Sequence, residues 1–348
     1  MKALRGALIA ALALLALSTT PAASAADCAP AEGLQFICGP VASEDLVQVP
    51  GTALLISSGL NIGQPAALHL IDATAHSAAV LQPQWQPAHG AVPTAECTQP
   101  PDPARWSTDG LALLPSSRGP HRLYAANHGD RAAIELFDVQ LSGAGVLLQW
   151  TGCVRLPAGT LPNAVTALPD GGLLAISFHN PDDPQAWQRM ARGENTGRIF
   201  EWHPGGAVRE LPGSAMSGGN GIALSADGRE LYASAWSGRR IVVLSRIDGT
   251  RRELPLDFLP DNLKVLPDGS LLVAGQRSTV ERIAACAGPR CPQPWVVARI
   301  DPRSGAVQPM LSGPGSERVD YAAGALIVNH ELYVTVRGDS RLVYVRLP

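Results

Sequence analysis

Apolar and polar positions along this chain fall into one recurring phrase: an alternating or wholly apolar strand, a turn of Pro-Asp-Gly type, and a second apolar strand. The clearest copies are VTALPDGGLLAIS from Val165, IALSADGRELYAS from Ile222 and LKVLPDGSLLVAG from Leu263. Weaker copies start at Leu46 (LVQVPGTALLISS), Leu111 (LALLPSSRGPHRLYAAN) and Ala325 (ALIVNHELYVTV). The six starts lie 41 to 65 residues apart, a span that holds one four-stranded sheet with its turns. Further strand-like segments fit between the copies at 132–139, 197–203, 239–246 and 295–301. Six hairpins in series, with no sustained helical periodicity, predict an all-β chain folded as a six-bladed β-propeller. A β-sandwich would not require one hairpin phrase at blade-sized spacing. The C-terminal RLVYVRLP can pair with a strand from the N-terminus and close the ring.

Composition agrees and narrows the field. The 348 residues are 46% hydrophobic and 16% charged, with 35 Gly and 30 Pro, which supports a sizeable core but disfavours long helices and disorder. Net charge is −3 and the only lysines are Lys2 and Lys264, so no basic face exists and nucleic acid is not an expected partner. Met1-Lys2 and Arg5, the apolar run from Ala7 to Leu17 and the small residues Ala23-Ser24-Ala25 read as a signal peptide over 1–25. The expectation is export to the periplasm or medium, one propeller over 26–348, and no transmembrane segment after processing. Six cysteines in an exported chain suggest disulfides; of 15 connectivities the plainest joins neighbours, Cys28 to Cys38, Cys97 to Cys153 and Cys286 to Cys291. Two stretches break the blade pattern: 82–105, rich in Pro and Gln, and 179–195, with a helix candidate at 185–192. Either could be a lid or a plain surface insertion.

Candidate chemistry comes from the register of the repeat. Six residues before the Pro position of each copy stand Glu44, Asp109, Asn163, Asn220, Asp261 and Ala323, five of which carry a side-chain oxygen. In a propeller, one register maps onto a ring around the central channel. A ring of carboxylates and amides, with Asn262 and Asp45 adjacent, is the hard oxygen set that Ca²⁺ takes, and the lack of His or Cys disfavours zinc. No GxSxG elbow and no phosphate-binding GxxxxGK[ST] loop occurs, and Arg337-Gly338-Asp339-Ser340 reads as a turn between the last two strands.

These residues resemble the paraoxonase/arylesterase branch of calcium-dependent lactonases, near the gluconolactonase and strictosidine-synthase-like propellers. The resemblance runs from about Gly39 to the C-terminus. It is carried by GPVASEDL, LLISSGL, LYAANHGDRAAIELF, LPNAV, GNGIALSADGRELY and LDFLPDNLKVLPDG. It implies a catalytic calcium held by Glu44, Asn163, Asn220, Asp261 and Asn262. It also implies a second, structural calcium at Asp45, but the Asp expected after the first Asn is Ala164 here. The histidine pair that would activate water falls on Asp109 and His128, and the link between N- and C-terminal cysteines is absent.

The expected activity is hydrolysis of a small-molecule lactone or aryl ester. Asp109 is the general base, with His128 as proton shuttle, or a sixth metal ligand, or neither; His128 is otherwise a turn residue, and Asp261 is also a candidate nucleophile. The competing expectation is a propeller that binds a ligand or partner and uses calcium only structurally.

Overall fold

The computed structural model describes residues 28–60, 65–86, 97–143, 145–286, 290–338 and 340–348. The expected signal peptide and part of the 82–105 loop lie outside them. The described chain forms six four-stranded antiparallel sheets, the blades of a propeller. In blade 1 the strands Ser43–Gln48, Leu54–Gly59, Leu68–Asp72 and Ser77–Leu81 follow one another outward from the channel. The inner strands of blades 2 to 6 are Thr108–Leu114, Pro162–Ala167, Gly219–Leu224, Leu259–Val265 and Ala322–Val328. Every copy of the repeated phrase is thus the inner hairpin of a blade. The four segments expected between copies hold the third strands Ala133–Ser142, Ile199–Trp202, Arg240–Ser245 and Trp295–Ile300.

Blade 6 is built from both ends of the described chain. Its three C-terminal strands are joined by Gln35–Cys38, which pairs with Arg341–Arg346 in the register Phe36↔Val343 and Ile37↔Leu342. This leaves no break in the ring, whose edges would otherwise present unpaired backbone groups.

The core is divided into six layers, one between each pair of neighbouring blades. Because side chains alternate along a strand, each blade feeds two layers. In Glu230–Ala235, for example, Leu231 and Ala233 face blade 3 while Tyr232 faces blade 5. Burial on both faces explains why the second strands read as unbroken apolar runs, such as the fully buried Leu173–Ser177.

The disulfides join Cys28–Cys38, Cys97–Cys153 and Cys286–Cys291, with Cα separations of 5.9, 5.5 and 5.7 Å, as neighbour pairing predicts. The second pins the 82–105 loop to the outer strand of blade 2. Such bonds persist in oxidising compartments. No helix among the described residues is long and apolar enough to cross a membrane.

Candidate active site

All six inner strands break register at the same place, between Ser43 and Leu46, Thr108 and Leu111, Pro162 and Ala164, Gly219 and Ile222, Pro260 and Leu263, and Ala322 and Ala325. The bulged residues are the ring read from the sequence: Glu44, Asp109, Asn163, Asn220, Asp261 and Ala323. A bulge re-aims a side chain that the pleat would otherwise send into an interblade layer. The residue that follows is Gly in three blades because the next blade comes so close. A Cβ on Gly110 would lie 2.6 Å from the Ala164 Cα, and one on Gly221 would lie 2.6 Å from the Asp261 carbonyl oxygen.

Glu44, Asp109, Asn163, Asn220 and Asp261 line one cavity of about 310 Å³. Each is buried, and each of the three carboxylates has one oxygen assigned. Asn163 donates to Asp109 Oδ2 at 2.9 Å, Asn262 donates to Glu44 Oε1 at 2.8 Å, and Gln276 donates to Asp261 Oδ2 at 2.7 Å. What remains is Glu44 Oε2, Asp109 Oδ1, Asn163 Oδ1, Asn220 Oδ1 and Asp261 Oδ1, all buried without a hydrogen-bond partner. Asn262, expected as a ligand, is not among the cavity-lining residues; it backs Glu44.

Buried acceptors and like charges penalise each other. Burial, then the neighbouring Asp109, pushes the Glu44 carboxyl well above the usual range, and burial followed by the Glu44 charge does the same to Asp261. Burial raises Asp109 from 3.8 to about 7, against a lowering contact with Glu44. Among the described residues no three His, Cys, Asp or Glu side chains gather into a cluster of their own; Asn163 and Asn220 stand between Asp109 and Asp261, while Glu44 and Asp109 come from adjacent blades. Five unsatisfied oxygens of mixed carboxylate and amide type nonetheless fit a hard cation, for which six to eight oxygens in forgiving geometry suffice.

A second ring sits above the first, and only one of its members was identified from the sequence. In each blade, the residue before the bulged position pairs across to the second strand, and the residue after that partner lines the cavity: Leu60, His128, Phe178, Trp236, Gln276 and Arg337. The same register count extended to the second strand would have found them all. Gln276 links the rings, accepting from Trp236 Nε1 at 2.9 Å while donating to Asp261. His128 Nε2 hydrogen-bonds the Pro162 carbonyl and lies 3.1 Å from Asp109 Oδ2. A carbonyl only accepts, so Nε2 bears the proton. Burial pulls its pKa down to about 4, so the ring is neutral at pH 7.

Over blades 3 and 5, two short helices complete the mouth: α1 (Ala186–Ala191), inside the expected 185–192 segment, and α2 (Val280–Ala284), which sequence reading missed. Met190 and Val280 pack with Phe178, Trp236 and Leu259, while Trp187 and Ile283 face the cavity. The 179–195 stretch is therefore a lid element, whereas the described part of 82–105 supplies no lining residue.

Asp45, implied as a ligand for a second calcium, is already engaged. Its Oδ1 accepts from Leu46 N at 2.8 Å, and its Oδ2 accepts from Leu111 N at 2.9 Å and Lys264 Nζ at 2.8 Å. A lysine ammonium thus stands where a cation would be needed and ties blade 5 to blades 1 and 2.

No protein-family model matches the chain, and no curated protein matches it. Solved structures do share its fold. A gluconolactonase from Xanthomonas campestris has a TM-score of 0.58 at 19% identity, covering 95% of this chain and 96% of that one. A luciferin-regenerating enzyme has a TM-score of 0.58 at 15% identity, covering 90% and 95%. The calcium-binding protein regucalcin from Agrobacterium tumefaciens has a TM-score of 0.54 at 15% identity, covering 89% and 91%. The structural neighbours are thus gluconolactonase- and regucalcin-like propellers, the group that the sequence motifs resemble.

Proposed function

We propose that the protein is an exported, calcium-dependent hydrolase of lactones or aryl esters, with residues 26–348 forming one propeller and the site at the mouth of its channel. The observation that carries this reading is the set of five partnerless buried oxygens, one from each of five blades, around one cavity. Each would cost about 1–3 kcal/mol if left unsatisfied. Glu44, Asn163, Asn220 and Asp261 would hold a calcium ion through these oxygens, with Asn262 and Gln276 fixing the two carboxylates from behind. Bound there, calcium supplies Lewis-acid polarisation of the substrate carbonyl. The likeness to a gluconolactonase fold supports a small lactone as substrate.

The chain's own residues account for the proton. In the metal-free site burial raises Asp109 from 3.8 to about 7, the direction that makes a carboxylate a better general base near neutral pH. Asn163 holds its Oδ2, leaving Oδ1 free to take a proton from water as the water oxygen bonds to the acyl carbon. The same carboxyl then returns that proton to the departing alkoxide oxygen as the acyl–oxygen bond breaks. His128, neutral and protonated on Nε2, steadies the Asp109 carboxylate and relays protons toward the mouth. Asp261 is the weaker nucleophile candidate, since Gln276 occupies one oxygen and the ligand set needs the other.

The test is hydrolysis of γ-lactones and phenyl acetate by the purified protein. Loss of activity on chelation and recovery with calcium are expected, and Asn220→Ala and Asp261→Ala should abolish both hydrolysis and calcium binding. If chelation lowers thermal stability but the calcium-loaded protein cleaves neither substrate, the propeller is a binding protein with a structural calcium.

A further inference from the structure

The second ring is divided by chemistry. Blades 3 and 4 present Phe178 and Trp236, joined by Trp187 of α1, so one side of the mouth is aromatic and apolar. Blade 6 lies opposite blade 3 in a six-membered ring, and it departs from the other blades at both levels. Its first-ring residue, Ala323, brings no oxygen, and its second-ring residue is Arg337, the cavity's one guanidinium among the described lining residues.

Arg337 is half-buried at the end of Glu331–Val336, in the turn that sequence reading assigned to a bland connection. Its Nη1 donates to the Tyr321 hydroxyl at 3.0 Å, and among the described residues it makes no ion pair with Glu44, Asp109 or Asp261. Burial opposes its charge, but Tyr321 and these three carboxylates hold its pKa above the ordinary arginine value. A permanently charged, pre-oriented guanidinium with N–H groups left over is suited to a planar anion, which it can bind through two parallel hydrogen bonds. It is a poor substitute for the cation of the first ring, because it bonds none of the five open oxygens.

We propose that Arg337 reads an anionic group of the substrate, so that the substrate class is a lactone or ester with an apolar portion against Phe178 and Trp187 and a carboxylate remote from the scissile carbonyl. This rests on the hydrolase reading above and assigns its specificity. Tyr321 is a positioning residue that aims the guanidinium.

The experiment compares a γ-lactone bearing a pendant carboxylate with its carboxamide counterpart, using the full chain with calcium. The wild type should favour the carboxylate by about tenfold to a hundredfold in kcat/KM, expressed mainly in KM, as expected for a charge-assisted contact made in ground and transition states alike. Arg337→Met should collapse that ratio, Arg337→Lys should keep part of it, and Tyr321→Phe should reduce it. A wild type without preference, or an Arg337→Met variant that slows both substrates by the same factor, overturns the proposal. Glutarate binding, followed by the fluorescence of Trp187 and Trp236, separates this inference from the hydrolase reading. Saturable binding that Arg337→Met weakens at least tenfold supports the anion site even if no lactone is cleaved. Glutarate binding that is absent or indifferent to Arg337 counts against it.

Discussion

Removing calcium at two pH values tests the physics of the first ring most directly. In the metal-free protein, Asp109 rises from 3.8 to about 7 on burial, so the folded state holds its proton more tightly than the unfolded state does. Stability from such a group is present while the proton stays on, and it is lost as pH rises from the unfolded toward the folded pKa. At about 1.4 kcal/mol per pH unit, the two units between pH 5 and pH 7 amount to about 3 kcal/mol, and the raised Glu44 and Asp261 act in the same direction. Surface carboxylates with lowered pKa, such as Asp170 and Asp183, act below about pH 4, outside this window, but buried His69 and His128, both lowered from 6.5 to about 4, have the opposite sign inside it and gain about 2 kcal/mol each between pH 5 and 6.5. Calcium at a hundredfold its Kd would return about 2.7 kcal/mol, close to what deprotonation removes. It would do so only where the carboxylates are free of protons. Thermal unfolding followed by near-ultraviolet circular dichroism should therefore show that, from pH 5 to pH 8, the chelated wild type loses roughly 6 °C more in Tm than chelated Asp109→Asn, which keeps the histidines and removes the titrating carboxyl, taking about 2 °C per kcal/mol for a chain of this size. Calcium should raise Tm at pH 8 and barely at pH 5. A difference in Tm between chelated wild type and Asp109→Asn that does not change with pH, or an equal calcium effect at both pH values, would refute the buried carboxylate ring.

Three further outcomes follow from named contacts. Asp109→Asn keeps an acceptor for Asn163 but removes the base, so hydrolysis of phenyl acetate should fall by roughly 10²- to 10⁴-fold and the acidic-limb inflection of kcat/KM should vanish; persistence of that inflection would assign it elsewhere. Gly221→Val places a side chain 2.6 Å from the Asp261 carbonyl and 2.8 Å from the Asn262 Cα, so the urea midpoint should drop by the equivalent of about 1–3 kcal/mol or more and calcium affinity should fall with it. Lys264→Met leaves the buried Asp45 without its counter-charge and should cost about 3 kcal/mol in urea unfolding. Much of that should return in the Lys264→Met, Asp45→Asn double variant; a single variant as stable as wild type would show that the pair is not coupled.

The blade count, the inner hairpins, the ring closure and the cysteine pairing were legible in the sequence because each is written repeatedly or locally. Every blade needs the same turn between the same two apolar strands, so errors in one copy are corrected by the others. The first ring was legible for the same reason: Glu44, Asp109, Asn163, Asn220 and Asp261 differ in identity but share one donor type at one register. The bulge that aims them was not, since it depends on how each inner strand pairs with its neighbour and leaves no residue signature common to all six. Helix α2 is five residues long, too short for periodicity to register, and is set by the Thr279 cap and by Val280 packing under Trp236.

The second ring escaped notice for a different reason. Its members are Leu, His, Phe, Trp, Gln and Arg, so a shared position is hidden by unlike chemistry, which is what a surface that discriminates between substrates requires. A scaffold of six equivalent blades can place six side chains at one height, but it distinguishes the two sides of a ligand only where those side chains differ. Repetition therefore encodes the fold and the ring of buried oxygens, and the proposed selectivity rests on departure from repetition. Blade 6 departs furthest, with Ala323 where the others have oxygen and Arg337 where blades 3 and 4 have aromatic rings. The same logic singles out Lys264, the only lysine of residues 26–348, which is spent on the buried Asp45 and not on the surface. In a repeat protein, the residue that breaks the pattern at a channel-facing register is the first place to look for what the protein recognises.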